Sequence, residues 1–181
     1  MHSAEGGLRN SGTGGIVADM LLGAAAGAVG VWALDRVDWF MFRHEDPQAR
    51  RRTQAVRPGG MDPAHVAANK IAKATTGNGL SPRQPHPAGL AVHYAIGIAP
   101  AALYGALRER VPAVRTGRGL LYGLGLFLIQ DELLNAVTGL SADPRSYPWQ
   151  PHARGLVAHL VYGAVTDATL DLLHRGRRPV H

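Results

Sequence analysis

The chain has no cysteine among its 181 residues, which excludes disulfides, thiolate catalysis, iron–sulfur clusters and Cys-ligated zinc. Catalytic signatures are lacking as well. Ser141 has no nucleophile elbow around it, and Thr75 to Gly79, TTGNG, lacks the lysine of a phosphate-binding loop. The Gly-rich run from Gly23 to Gly30 falls inside an apolar segment, where phosphate would not reach. No interleaving of basic and aromatic residues marks a nucleic-acid face. The chain is therefore expected to be non-enzymatic and to bind no nucleic acid, although 19 Lys and Arg stand against 13 Asp and Glu and the pI is near 10.3.

Placement explains that charge. The basic residues gather where hydrophobic runs stop: Arg43 and Arg50 to Arg52, then Arg108, Arg110, Arg115 and Arg118, and finally Arg175, Arg177 and Arg178. Membrane proteins flank their spans in this way. After a Gly/Ser-rich, flexible N-terminus (1–14), a single membrane domain is expected over 15–176, with spans at about 16–42, 87–107, 119–140 and 155–173 and a polar loop at 43–86. The fold class is all-α, a polytopic membrane four-helix bundle with a two-fold internal repeat of helix pairs.

The second span is the cleanest, at about the 20 residues a bilayer core requires. The third and fourth carry acids, and the mean hydropathy of −0.05 reflects extensive polar loops. A soluble Gly-rich helical bundle is the alternative, since helical periodicity does not separate a buried core helix from a membrane one. A signal peptide is disfavoured because Asp19 precedes the first apolar run and no cleavage site follows. Within the loop, Asp62-Pro63 reads as a helix start and Gly77 as its end, predicting a short helix over 63–76 outside the bilayer or on its surface.

The repeat is visible at two constant offsets. Gly89/Gly155, Leu90/Leu156, His93/His159, Gly97/Gly163, Ala102/Ala168 and Leu107/Leu173 coincide at an offset of 66, and Gly23/Gly119, Gly27/Gly123 and Asp35/Asp131 at 96. Duplicated pairs of spans would share one orientation in the membrane. Residues four apart lie on one helix face, and each span carries small residues there: Gly23 and Gly27; Gly97 and Gly105; Gly119 and Gly123; Gly163. Such stripes let helices approach closely in lipid. Antiparallel packing would then bring Asp35, Asp131, His93 and His159 into one polar layer.

Trp39 and Trp149 fall on the same side of this arrangement, as an interfacial belt requires. The side holding both termini has eight Lys and Arg in short stretches and the other has ten, mostly in one long loop; their density favours cytoplasmic termini.

Seven acids, Asp19, Asp35, Asp38, Asp131, Glu132, Asp167 and Asp171, lie in or at the rims of the hydrophobic segments, against Arg36 as their one basic companion. An ionised carboxylate at the bilayer centre costs on the order of 3 kcal/mol, so these groups are expected to face a cavity, pair, stay protonated, or sit at the interface. For His93 and His159 three readings stand open. They bond across a close helix contact, they ligate a b-type haem with glycines at i±4 leaving room for the porphyrin, or with Asp35 and Asp131 they form a divalent-metal site or a proton path. His44, His65, His86 and His152 are expected to be solvated.

From His93 to Leu173 the chain resembles the YagU-like family of uncharacterised bacterial inner-membrane proteins. The resemblance lies in an apolar helix opening on His93 and ending in Tyr104-Gly105, Pro112, a Gly-led third helix, Gly139-Leu140, Pro148-Trp149, and the Gly155 to Tyr162 segment around His159. It implies an inner-membrane location and a multi-pass topology, and no reaction. The expected partners are the lipid bilayer, with a homo-oligomer or a larger membrane complex that the 43–86 loop would dock. Passage of protons or small cations, haem or metal binding, and scaffolding are the functions left to distinguish.

Overall fold

A computed structural model describes residues 13–81 and 85–176; most of the expected flexible N-terminus and the terminal Arg177 and Arg178 lie outside them. The described residues are helical with no strand. Six helices carry the fold: α1 (Thr13–His44), α2 (Pro47–Val56), α3 (Pro63–Thr76), α4 (Pro87–Arg108), α5 (Leu120–Val137) and α6 (Trp149–Gly176). Of these, α1, α4, α5 and α6 are long and apolar enough to cross a membrane.

Their surfaces agree with that solvent. Most of each apolar helix is left uncovered by the rest of the protein, and Leu21, Trp32 and Val137 are 66%, 55% and 74% exposed. An apolar exterior this extensive is unfavourable in water and is what a bilayer selects. Four such helices are compatible with an integral membrane protein.

The local signals explain the helix ends. Asp46 accepts the N–H groups of Gln48 and Ala49 at 2.8 and 2.9 Å and Pro47 follows it, so α2 begins there. Asp62 accepts the N–H of His65 at 3.1 Å ahead of Pro63, and Gly77 closes α3 at φ 76°. Both starts place a carboxylate on orphan N–H groups and a proline where its missing N–H costs nothing. The 43–86 segment is thus not merely a polar loop. It holds two helices, of which α2 was not foreseen.

Helix α1 packs against both α4 and α6, and α6 packs in turn against α5. Paired positions fix the directions: Asp35 meets His93 and Asp19 meets Arg110, so α1 and α4 are antiparallel. Asp38 meets Arg154, which sets α6 antiparallel to α1, and Gly123 meets His159, which sets α5 antiparallel to α6. One end, the loop end, therefore gathers the last turns of α1 and α5, the first turns of α4 and α6, and helices α2 and α3. The far end holds Arg108 and Asp171.

Glycine governs these contacts. A Cβ on Gly23 would lie 2.3 Å from the Ala101 carbonyl oxygen, and one on Gly27 2.4 Å from the Ala101 methyl. In the other pair a Cβ on Gly123 would come within 2.1 Å of the His159 oxygen, and one on Gly163 within 2.1 Å of the Gly119 oxygen. Gly105 abuts Gly23, and Gly97 abuts Val31. Gly119 also adopts φ 81° at the start of α5, a conformation that penalises any side chain. The seven stripe glycines named from sequence all lie at such close approaches.

Helix α3 is tied down at three points. Lys70 Nζ donates to the carbonyls of Thr138 and Gly139 at 3.0 Å each, capping the end of α5, a position where a cation meets the negative end of the helix dipole. The His65 ring fills the space over Gly89, and its Nε2 accepts the His86 N–H at 3.0 Å. Since Nε2 accepts, the neutral ring carries its proton on Nδ1, which lies 2.7 Å from Asp62 Oδ2. His65 is buried, so the expectation that it is solvated is wrong.

Two outcomes follow. Gly163→Leu should cost about 3 kcal/mol by overpacking a backbone contact, whereas Gly125→Leu, with nothing within 4 Å of its Cβ position, should unfold like the wild type in detergent melts. Burial pushes the Asp62 carboxyl up, but the hydrogen bonds from the His65 ring and backbone N–H, with the charge of Arg57, outweigh it and hold the group below its ordinary 3.8. Its contribution is therefore complete above pH 3.8 and lost as pH falls through the depressed value. Amide exchange of 63–76 should accelerate in that acid range, and Asp62→Asn should abolish the dependence.

Candidate functional site

The loop end concentrates the chemistry. On α1 and α4, Asp35 Oδ1 lies 2.9 Å from His93 Nε2. On α5 and α6, Asp131 Oδ2 lies 3.7 Å from His159 Nδ1, which itself donates to the Gly155 carbonyl at 2.9 Å. Asp131 accepts from Asn135 Nδ2 at 3.3 Å. Gly155 leaves the space that the Phe127 ring and Asp131 occupy.

Asp131 sits in an unusual stretch of backbone. From Phe127 to Leu134 helix α5 is wound as a π-helix, with the Asn135 N–H bonded to the Gln130 carbonyl. Such turns are rare and collect at functional sites. Widening the turn brings Asp131 and Glu132, consecutive in sequence, to the same cleft. This cleft, about 170 Å³, is lined by Asp38, Asp131, Glu132, Asn135, His152 and Arg154 among others.

Two further interactions close it. His152 Nε2 donates to the Pro144 carbonyl at 3.0 Å while Nδ1 lies 2.7 Å from Glu132 Oε1. A carbonyl only accepts, so the Glu132–His152 contact holds one proton between its two members. The buried Arg154 donates through Nε to Asp38 at 2.7 Å, pairs with Glu45, and lies 5.1 Å from the centre of the Phe42 ring.

The interior remains polar away from this end. Tyr162 donates to the Gly97 carbonyl at 2.7 Å, so the hydroxyl of Tyr122, 3.0 Å away, must donate to Tyr162. Pro100 lies just beyond Gly97, and an internal proline loosens the carbonyls of the preceding turn. Tyr122 stacks on Tyr104 at 4.2 Å between ring centres. Tyr104 donates to Asp167 at 2.6 Å, and Arg108, 2% exposed, binds Asp171 at 2.6 Å and the Asp167 carbonyl at 3.2 Å. Arg115 reaches Asp171 at 3.4 Å.

Set against the sequence, the acids have more basic company than Arg36. Arg108 was read as a flanking charge and Arg154 was not singled out, because the helix limits were drawn too tightly. Helix α6 begins at Trp149, six residues before Gly155, with Pro151 in its first turn, and Pro there is a start signal. His152 belongs to this turn and pairs with Glu132 rather than being solvated. His86 caps α4, its Nδ1 accepting the Ala88 N–H at 3.1 Å, and His44 stays exposed. Tyr104 and Tyr162 were named in the sequence only as ends of segments, with no role given them, and Tyr122 was not singled out.

His93, His159, Asp35 and Asp131 form two pairs. Among the described residues no group of three or more His, Asp or Glu side chains could hold a metal ion, so the four do not assemble the metal ligand set considered from sequence. Haem fits no better. His93 Nε2 faces Asp35, and the glycines one turn from the two histidines are filled: Gly89 by His65, Gly97 by Val31, Gly155 by Phe127 and Gly163 by the Gly119 and Gly123 backbone.

Removing Arg154 would strand the buried Glu45 and leave the partly exposed Asp38 unpaired. Breaking a buried pair from one side costs about 3–5 kcal/mol, so Arg154→Met should lower the melting temperature in detergent sharply. Arg154→Met combined with Asp38→Asn and Glu45→Gln should recover much of the loss. Compared with family models, curated proteins and solved structures, the chain finds no match in any of the three.

Proposed function

We propose that the chain is a non-enzymatic integral protein of the bacterial inner membrane, its termini cytoplasmic, that passes protons along the polar interior between its helices. The observation that carries this reading is an inversion of polarity. The exterior of the apolar helices is uncharged over long stretches, while buried positions inside include His159, Asn135, Tyr162, Tyr104, Asp167 and Arg108. A bundle needing only to assemble would meet that demand with small and apolar residues; ionisable groups in a membrane are costly and mark ion or proton pathways.

The order of groups supports the direction of travel. Protons would enter at the acid-lined cleft, where Asp131 and the Glu132–His152 pair exchange with water, and pass to a layer made of the His93–Asp35 and His159–Asp131 contacts. Beyond it stand the donor chain of Tyr122 and Tyr162, then Tyr104 with Asp167 and the Arg108–Asp171 pair. Titratable carboxylates and imidazoles interspersed with hydroxyls are the components of proton relays.

The reading also takes the two helix pairs, α1 with α4 and α5 with α6, as copies of one unit. Each packs on two glycines four apart and each carries one Asp–His contact at matching positions. The resemblance to the YagU-like family agrees with the location. Single chains of this kind would act alone or as a homo-oligomer.

The test is proton flux into liposomes holding the purified chain and a pH-sensitive dye. Wild-type flux should exceed that of empty liposomes, and Asp131→Asn, His159→Ala and Tyr162→Phe should each reduce it about tenfold or more, since a positioned proton-transfer group contributes on the order of 10²–10⁴ in rate. Gly125→Leu should leave it unchanged. Wild-type flux no greater than the empty control, or full flux in a folded Asp131→Asn variant, would remove the proposal.

A further inference from the structure

On the outward face of α1, away from both polar clusters, Arg36, Trp39 and Arg43 follow one another at intervals of three and four residues. All three are exposed, and together they line a shallow concavity of about 300 Å³. The Arg36 guanidinium lies 5.8 Å from the Trp32 ring centre, and Arg43 Nε donates to the Trp39 carbonyl at 3.3 Å, which leaves the outer nitrogens of both arginines directed to the surroundings. Trp32, Trp39 and Phe40 extend the face with exposed rings.

The nearby acids do not neutralise this charge. Asp35 turns inward to His93, and Asp38 to Arg154; among the described residues neither Arg36 nor Arg43 has a carboxylate within ion-pairing distance. Arg43 is in the last turn of α1, and Arg36 stands roughly 10 Å further in at 1.5 Å per residue. An arginine at that depth facing lipid is unfavourable unless an anion meets it or it reaches the interface. We infer that this face binds the phosphate of an anionic phospholipid, to which the guanidinium groups of Arg36 and Arg43 supply charge-assisted hydrogen bonds while the tryptophans hold the glycerol and upper acyl region at the interface.

The chemistry selects among lipids. A zwitterionic headgroup brings its own cation close to the phosphate, whereas an anionic one leaves net charge for the two arginines. Each basic residue near an anionic membrane surface favours it enough that a pair should give roughly tenfold preference or more. Free phosphate lacks the acyl chains that the exposed rings accept.

The measurement is lipid retention by native mass spectrometry of the full chain, released from micelles holding equal phosphatidylglycerol and phosphatidylcholine. The wild type should retain phosphatidylglycerol preferentially. Arg36→Gln with Arg43→Gln should bring that preference down severalfold, while Arg36→Lys with Arg43→Lys should keep most of it. Arg51→Gln with Arg52→Gln, on α2, should behave like the wild type. Equal retention of the two lipids by the wild type, or an undiminished preference in the folded double glutamine variant, overturns the inference; displacement of phosphatidylglycerol by added inorganic phosphate would assign the site to free phosphate and overturn it as a lipid site.

Discussion

Where Gly119 meets Gly163 and Gly123 meets His159, the space for a methyl group ends about 2 Å from a carbonyl oxygen, and the separation of every other side chain between α5 and α6 follows from that approach. The same holds for Gly23 and Gly27 against α4. In lipid there is little hydrophobic drive to bring helices together, so close van der Waals contact and interhelical hydrogen bonds supply the attraction. The glycines provide the first and bring the second within range. Gly30, where a Cβ would lie 2.2 Å from Thr166 Oγ1, does the same between α1 and α6; at a separation set by a larger residue, Arg154 would not span from α6 to both Asp38 and Glu45. Packing on glycine thus comes before the polar chemistry, which depends on it.

The two buried arginines show how the acids are accommodated. Asp38 and Glu45 share Arg154, while Asp167 and Asp171 share Arg108. Each cluster lies toward one end of the helices, where long side chains and some water access lower the cost of charge; the two Asp–His contacts lie just inside the Arg154 cluster, and the hydroxyls of Tyr122 and Tyr162 come between. This distribution resembles a gradient more than a single layer: charge at the ends, dipoles in the middle.

Much of this was legible in the chain. The four apolar helices follow from uncharged runs and the basic residues around them, and α3 follows from Asp62-Pro63 and Gly77. The pairing of Asp35 with His93 could be read from antiparallel neighbours and four-residue spacing. Less legible were features that depend on where a helix starts. Arg154 and His152 became interior residues only once α6 began at Trp149, because hydropathy registers the apolar centre of a span and is blind to a polar first turn that a neighbour covers. Tyr104 and Tyr122 come from segments with no alignment to each other, and their stacking depends on α4 and α5 meeting across α1 and α6. Burial of His65 is likewise a tertiary fact: its role was set by Gly89, 24 positions later in the chain.

The widened winding of α5 has a mechanical meaning. Passing from i→i+4 to i→i+5 bonding absorbs one residue, which rotates everything beyond it by about 100° relative to a uniform α-helix. Ahead of the widened stretch Gly119 and Gly123 abut α6; within it Asp131 lies 3.7 Å from His159 of α6, and Lys70 holds the final turn in place. A glycine seam and a carboxylate facing the cleft are carried by one helix, the second within its widened turns. The winding between seam and cleft therefore sets the angle at which this carboxylate meets α6, and a residue inserted into or removed from 127–134 would turn the helix beyond it by about 100° while leaving the seam where it is.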